Sequence, residues 1–558
     1  MDGPDAPAGD DRRRRRTALA ALAAGASVLA LGTWLRLVHL GTPSLWWDEL
    51  VQVRTVDRPI AELLPAVKWG ASPIAGNAGA MPLDYVLLHA WLRSTPAPSP
   101  DDLERHLRAP SCAWSVLAVA AQGLVGARLF GRAGGLLAAL LLATSLPAIL
   151  YAAEARPYSL MTLGSLLALA AFLAFERRPG SRRARAALLV ADLAWVFTGV
   201  LAAFAVGAQC AVLALRALLQ SAAARRAWVP LAIGTATAAA TLLWFRGIAL
   251  DARFTRTVFV TPWSVTRDSL WFLSGGSRAL LAAWFAAVPF AVLAERRRGG
   301  SGAASVAMAA SFLALPATAL LVARKGYYFH GRHALFLLPY LLMLLAGGSL
   351  EVLRRLDPLR RGSRRVLGST TAGRAGPTAG RVAQAIELAV GFALVALVTG
   401  PVMRAFVVAP DFFFARTKTL RDTRAIARLA QDAVGGLAPG ESLLVVVERD
   451  SPANAVLEAY VDGYGLADRV LLRSPGIAMS RVEEVLRSSG GDPGPLALRP
   501  AVGLVAPIRR LLGLHERQGR VPSRVGPVLV ASYAQPLAGP SIRRTTGVSL
   551  GLLPAPGR

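Results

Sequence analysis

Long apolar runs with almost no charge follow one another through roughly the first 400 residues of this 558-residue chain. Runs of about 20 such residues match the thickness of a lipid bilayer. Short arginine-rich clusters separate them, so the excess of 62 Lys and Arg over 34 Asp and Glu is distributed as in cytoplasmic loops between membrane spans. No nucleic-acid-binding motif accompanies the arginines. The sequence therefore predicts a polytopic α-helical membrane protein that does not bind nucleic acid.

The arginine clusters indicate which loops lie on the cytoplasmic side of the membrane. A basic N-terminus, residues 1–16, is predicted to stay in the cytoplasm and to precede a transmembrane domain, residues 17–404. With alternating sides, every dense arginine cluster falls on the cytoplasmic side. About eleven spans are predicted: Thr17–Val38, Pro110–Phe130, Gly134–Ala153, Ser159–Phe175, Ala186–Val206, the stretch that ends at Leu219, Trp228–Phe245, Ala279–Ala294, Ala303–Val322, Ala334–Leu350 and Val382–Met403.

Two long segments are predicted on the outer side. The first outer loop, residues 41–109, contains a short apolar segment at 81–92 that suits a helix lying in the interface. The tail, residues 405–558, is predicted to form a small extracytoplasmic α/β domain. Its predicted elements are helices at Arg421–Val434, Ala453–Val461 and Arg481–Ser488 and strands at Glu441–Val447, Asp468–Leu472 and Pro527–Ser532.

An acid pair, Asp48 and Glu49, follows Trp46 and Trp47 just after the first span. Tryptophan favours the membrane–water interface, and a carboxylate keeps its charge there more easily than in the bilayer centre. The pair therefore suits general-base chemistry at a membrane surface. It is also a candidate set of ligands for a divalent metal ion, although the sequence requires no cofactor. An interfacial aromatic belt followed by two solvated acids is the simpler interpretation.

Basic residues also occur on the outer side, where positive charge is usually depleted. The predicted topology brings Glu154, Arg156 and Tyr158, and a second group at 324–333, to the same face as the acid pair. Arginine forms bidentate hydrogen bonds with phosphate, so this set suits a reaction on a lipid phosphate. Alternatively, Arg324 and Arg332 contact lipid headgroups, or Glu154 and Arg156 form a local turn pair. The second group contains Arg324, Lys325, Tyr327, Tyr328, His330, Arg332 and His333.

Five short motifs, in this order relative to the spans, resemble the polytopic GT-C glycosyltransferases, specifically the protein O-mannosyltransferase and lipid A aminoarabinose transferase group (family 39). They are Leu45–Glu49, Pro82–Trp91, Arg108–Ser111, Glu154–Leu160 and Tyr328–Pro339, and the resemblance covers roughly residues 30–345. Met81 stands where the family often has His or Pro, and His333 where it often has Tyr.

The resemblance implies an inverting transfer of a sugar from a polyprenyl-phosphate carrier to a lipid, glycan or protein hydroxyl at the outer face of a bacterial inner membrane. It implies Asp48 as general base, Glu49 as helper or ligand, and Arg156, Lys325 and Arg332 as ligands of the donor phosphate. Tyr327 and Tyr328 are further candidates for the phosphate, and Trp47, Glu154, Tyr158 and His333 are candidates for a supporting role.

Two other classes of protein remain open from the sequence. A transporter or lipid flippase would place ionisable residues near mid-bilayer and carry broken spans in matched halves. The acids and bases here gather at one surface instead, which favours the enzyme. The third class is a non-catalytic sugar-binding protein on the same scaffold.

Overall fold

A computed structural model describes residues 8–38, 40–41, 44–63, 81–99, 102–220, 228–250, 262–325, 331–367, 423–435, 442–446, 452–466, 468, 470–473, 496–499 and 525–531, together with residues 396 and 400. By their contacts, the described residues divide into two compact units. The first comprises Met1–Leu40, Gln52–Pro96 and Leu107–Val408, and the second comprises Gly41–Val51, Ala97–His106 and Ala409–Arg558.

Helices dominate the chain up to residue 367. They are α1 Ala8–Leu37, α2 Trp47–Val56, α3 Pro82–Ser94, α4 Leu103–Ala143, α5 Leu146–Ala152, α6 Tyr158–Arg177, α7 Arg182–Thr198, α8 Ala202–Leu219, α9 Trp228–Leu250, α10 Pro262–Leu273, α11 Arg278–Arg297, α12 Ala303–Ser311, α13 Ala314–Lys325 and α14 Leu338–Leu367, with a 3₁₀ segment at Gly331–Leu337.

Eight helical stretches among the described residues are long and apolar enough to cross a membrane. The prediction of a polytopic helical membrane protein is thereby confirmed. The predicted span Val382–Met403 lies outside the described residues, apart from residues 396 and 400. The eight are Ala18–Leu37, Leu103–Ala143, Tyr158–Arg177, Ala202–Leu219, Trp228–Phe245, Arg278–Arg297, Ala303–Leu321 and Gly331–Arg355.

The long element α4 folds back on itself at Gly131. That residue has φ 85° and ψ 174°, a conformation that favours glycine. On either side of the turn the chain is closely packed, since a Cβ added at Gly135 would lie 2.4 Å from the carbonyl oxygen of Gly123. This turn separates the two predicted spans Pro110–Phe130 and Gly134–Ala153.

A buried arginine fastens α1 to the C-terminal end of α4. The guanidinium of Arg36 donates to the carbonyl oxygens of Leu142 at 3.1 Å and Ala143 at 2.9 Å, and also to Ser115 Oγ at 2.7 Å. The last carbonyls of a helix lack intrahelical partners and carry partial negative charge. Arg36 therefore supplies hydrogen bonds that the end of α4 needs inside the first unit.

The tail contains both helices and strands, as the sequence predicts, with boundaries shifted by a few residues. Its sheet has the strand order β2-β1-β4-β3; β1 is parallel to β2 and β4, whereas β3 is antiparallel to β4. The predicted helix Arg481–Ser488 lies outside the described residues, and the domain boundary at residue 405 stays a prediction. The observed elements are α15 Thr423–Gly435, β1 Ser442–Val446, α16 Pro452–Gly463, β2 Val470–Arg473, β3 Leu496–Arg499 and β4 Val525–Ala531.

Candidate active site

The turn between α5 and α6 carries three of the predicted site residues. The backbone N–H of Arg156 donates to the carbonyl oxygen of Glu154 at 2.8 Å, and Pro157 then leads into α6, which begins at Tyr158. Glu154, Arg156 and Tyr158 are all buried. A buried arginine needs hydrogen-bonding partners, and a lipid headgroup is not required to provide them here.

A buried chain of polar side chains holds the Arg156 guanidinium. Arg156 Nη1 donates to Gln52 Oε1 at 3.2 Å, and Gln52 Nε2 donates to Asp84 Oδ2 at 2.5 Å. The hydroxyl of Ser111 donates to the carbonyl oxygen of Arg156 at 3.2 Å. Residues from α2, α3 and α4 therefore all contribute to the position of Arg156 within the first unit.

Asp84 is the main residue that sequence reasoning missed, although it lies within the Pro82–Trp91 motif. The structure places it on α3, buried together with Tyr85 and Leu88. An acid on the apolar face of a short amphipathic helix is the signal that points to a buried polar network. Burial raises the pKa of Asp84 to about 6, and the hydrogen bond from Gln52 and the charge of Arg156 act against that rise.

Two guanidinium groups lie near the Tyr158 ring. The Cζ atom of Arg156 is 6.0 Å from the ring centroid, and the Cζ atom of Arg332 is 5.9 Å from it. The ring of His333 stacks with Tyr158 at a centroid distance of 6.3 Å. The structure therefore brings Arg156 and Tyr158 together with Arg332 and His333, although the two groups are far apart in sequence.

Tyr151 completes this cluster of cations and rings. Its ring packs edge-on against Tyr158 at 4.8 Å and against Phe272 of α10 at 5.7 Å. Burial raises the pKa of Tyr151, and the nearby positive charge of Arg332 acts against that rise. The Tyr158 ring, which Tyr151 and His333 pack against, limits the positions that the two guanidiniums can adopt. This suits recognition of an anion of fixed geometry.

A small cavity of about 10 Å³ lies beside the polar chain of the first unit. Its lining includes Gln52, Asp84, Ser111, Trp114 and Ala155. Gln52 and Asp84 thus face this cavity and also belong to the hydrogen-bonded chain that ends at Arg156. A substitution of Gln52 or Asp84 should therefore alter both the cavity and the hydrogen bonds that position Arg156.

The acid pair belongs to the second unit. Glu49 is fully buried, and its Oε2 accepts a hydrogen bond from the backbone N–H of Trp46 at 3.2 Å. Since α2 begins at Trp47, Trp46 is the N-cap residue and Glu49 is the third residue of the helix. The contact is one of the two hydrogen bonds of a capping box, the one from the N-cap backbone N–H to the acid in the first turn. Asp48, next to it, is partly exposed. Glu49 therefore stabilises the N-terminus of α2.

Several predicted site residues are not described. Tyr327 and Tyr328 lie outside the described residues, as does His330. Lys325 ends α13, but its side chain is not described, and neither are the side chains of Trp47 and Arg324. Among the residues that the structure does describe, no group of three or more His, Cys, Asp or Glu could hold a metal ion. The metal at Asp48 and Glu49 therefore stays a prediction.

No family model and no curated protein sequence matches the chain. Among solved structures, the chain is similar to ArnT from Cupriavidus metallidurans bound to undecaprenyl phosphate, with 16% identity, a TM-score of 0.47, and coverage of 92% of this chain and 99% of that chain. It is also similar to the oligosaccharyltransferase of Archaeoglobus fulgidus tethered with an acceptor peptide, with 14% identity and a TM-score of 0.46.

The match to the oligosaccharyltransferase covers 81% of this chain but only 63% of that chain. A second structure of the archaeal enzyme, which contains an inhibitory peptide and a dolichol-phosphate, matches with 12% identity and a TM-score of 0.45. Both similar proteins are glycosyltransferases, the class that the motifs resemble.

Proposed function

We propose that this protein is a membrane glycosyltransferase that moves a sugar from a polyprenyl-phosphate carrier to an acceptor hydroxyl. The observation that carries the proposal is the pair of guanidiniums, Arg156 and Arg332, on the Tyr158 ring at 6.0 and 5.9 Å. Two positioned cations beside the ends of membrane-crossing helices suit a lipid-linked phosphate better than a soluble one. A phosphate leaving group gains negative charge as the glycosidic bond breaks, and preorganised cations stabilise that charge.

The proposed reaction needs a base as well as an anion site. The acceptor oxygen attacks the anomeric carbon, the bond from that carbon to the phosphate oxygen breaks, and the acceptor proton passes to a carboxylate. Polyprenyl phosphate leaves, and the anomeric centre is inverted. Asp48 is the proposed base, with Glu49 as its helper; this assignment rests on the resemblance of the Leu45–Glu49 motif. Lys325, Tyr327 and Tyr328 are proposed as further donor ligands on the same ground.

The proposed location is the plasma membrane of a bacterium, with the N-terminus in the cytoplasm and the tail outside. The distribution of arginine supports this orientation, because the cytoplasmic loops of membrane proteins carry the excess of Lys and Arg. The acceptor is a hydroxyl on a lipid, a glycan or a protein. The sugar is a hexose or a pentose.

The decisive experiment incubates purified, reconstituted protein with a panel of polyprenyl-phosphate sugars and follows which donor is consumed. Undecaprenyl and dolichyl phosphates are the first carriers to use, since two of the similar structures contain them. Asp48→Asn is expected to abolish transfer without loss of folded protein. A protein that moves the lipid between leaflets but never consumes it would be a flippase, and the proposal would fail.

Arg332→Ala tests the donor site. We expect the KM for the donor to rise roughly 10-fold or more, because a hydrogen bond to a charged group contributes about 1.5–3 kcal/mol. The matched control is Arg267→Ala, which removes an exposed arginine whose Nε lies 2.8 Å from Asp268 Oδ1 on α10. This control should keep the wild-type KM. A change in acceptor preference with an unchanged donor KM would contradict the phosphate role of Arg332.

A further inference from the structure

The hydroxyl of Tyr460 contacts the segment that leads into α2, although the two are 415 residues apart in sequence. The backbone N–H of Leu45 donates to Tyr460 Oη at 2.8 Å. The same hydroxyl donates to Glu104 Oε1 at 2.5 Å. All three residues belong to the second unit, and Tyr460 and Glu104 have exposures of 2% and 0%.

Both hydrogen-bonding capacities of this hydroxyl are therefore used. It accepts from a backbone amide and donates to a carboxylate, and a hydrogen bond to a charged acceptor is stronger than one between neutral groups. Glu104 lies in the first turn of α4, where a negative charge is favoured. The carboxylate thus fixes the direction of the Tyr460 hydroxyl, and the hydroxyl fixes Leu45.

Two consecutive backbone amides before α2 are consequently fixed. Leu45 N–H is bound to Tyr460, and Trp46 N–H is bound to Glu49 Oε2 at 3.2 Å. Asp48 is the second residue of the helix that follows. Because Leu45 and Trp46 directly precede the helix, we expect the orientation of the Asp48 side chain to depend on both contacts.

We propose that Tyr460, anchored by Glu104, is a positioning residue for the acid pair, so that the tail sets the orientation of Asp48 by holding the entry to α2. The catalytic consequence of this inference rests on the proposed function, whereas the hydrogen bond to Leu45 can be tested without it. The tail is then needed for turnover even if it never touches the donor.

The test compares Tyr460→Phe with Tyr464→Phe in the full-length protein. Tyr464 is a matched control, because it lies four residues further along and its hydroxyl accepts instead from Arg428 Nε at 3.3 Å. Amide hydrogen exchange of residues 44–51 is followed by mass spectrometry. For Tyr460→Phe we expect roughly 2- to 10-fold faster exchange, the effect of one lost hydrogen bond. Tyr464→Phe should exchange like the wild type.

A second readout is the kinetics of sugar transfer. Tyr460→Phe should lower kcat several-fold and leave the donor KM unchanged, whereas a general loss of folding would reduce the amount of active enzyme in proportion to the loss of folded protein. Glu104→Gln retains an acceptor for the hydroxyl, so its effects on exchange and on kcat should be smaller than those of Glu104→Ala. This comparison remains informative if Tyr460→Phe folds poorly.

Three results would overturn the inference: equal exchange in the two tyrosine variants, faster exchange with an unchanged kcat, or equal effects of the two Glu104 variants. If the wild-type protein consumes no donor, the proposed function fails. Exchange at residues 44–51 then still decides whether Tyr460 holds the entry to α2.

Discussion

Asp84 has a raised pKa because α3 buries it among apolar neighbours. Its pKa is about 6 in the folded protein, against 3.8 for the ordinary aspartate side chain. Between these two values the folded state keeps a proton that the unfolded state releases. Stability must therefore fall as the pH rises through this interval, and above pH 6 the folded state carries the full penalty of a buried charge, ~3 kcal/mol.

Asp84→Asn is expected to remove this part of the pH dependence. The variant should gain thermal stability relative to the wild type as the pH rises from about 4 to 6, and the gain should level off above pH 6. Thermal unfolding in detergent across this range measures the difference. Asp57→Asn is the control, because Asp57 is exposed at 82% and its ion pair with Arg93 is a surface contact. A constant difference between Asp84→Asn and the wild type at every pH would refute the prediction.

The sequence analysis selected Arg156 and Arg332 as candidates because basic residues are unusual on the outer side of a membrane protein. It missed Gln52 and Asp84, whose importance comes from their hydrogen bonds. No local pattern indicates that a glutamine joins an acid to an arginine more than 70 residues away. Of these two residues, only Asp84 can be recognised from the sequence, because an acid on the apolar face of a helix is unusual.

The helices α11 and α14 pack closely at one glycine. A Cβ added at Gly348 would lie 2.2 Å from the carbonyl oxygen of Ala287, which is far inside van der Waals contact. The obstacle is backbone, so no side-chain rotation can relieve it. Small residues at helix interfaces in membranes allow this kind of approach.

Gly348→Ala should therefore destabilise the protein by about 1–3 kcal/mol, the usual effect of overpacking. Gly207→Ala is the matched control on another membrane-crossing helix, because a Cβ at Gly207 would meet nothing within 4 Å. The control should be neutral or slightly stabilising, since alanine favours helix. Thermal unfolding of both variants in the same detergent gives the comparison, and equal melting temperatures would rule out the close packing at Gly348.

Hydropathy predicts the existence of helices well and their ends less well. The predicted span Ala186–Val206 continues past the true break, since α7 ends at Thr198 and α8 begins at Ala202. The connecting residues Val200 and Leu201 are apolar, so the hydropathy pattern runs through the turn. The turn at Gly131 was easier to predict, because Arg128 and Arg132 flank it.

The orientation of the whole chain can be tested with single cysteines. The native Cys112 and Cys210 are buried and can be replaced by alanine. A cysteine at Ala279 or Asp462 should react with a membrane-impermeant thiol reagent in intact cells. A cysteine at Gly180, between α6 and α7, should react only after permeabilisation. Labelling of Gly180→Cys in intact cells would reverse the orientation assigned from the arginine clusters.

At the scale of the molecule, the sequence predicted the class of fold and the mixed helix and strand content of the tail. It did not predict the sheet order β2-β1-β4-β3, in which β4 inserts between β1 and β3. Strand order depends on contacts between segments that are far apart in the chain. Such contacts produce no local hydropathy pattern from which the strand order could be predicted.

Arg36 has a consequence for synthesis at the ribosome. Its acceptors at Leu142 and Ala143 follow it by 106 and 107 residues, a distance that takes about 5–20 s to translate. Throughout that delay the guanidinium has the carbonyl oxygen of Gly32 in its own helix as a partner, but its two acceptors at the end of α4 do not yet exist. We therefore expect water or the insertion machinery to solvate the rest of the guanidinium until the α4 hairpin arrives.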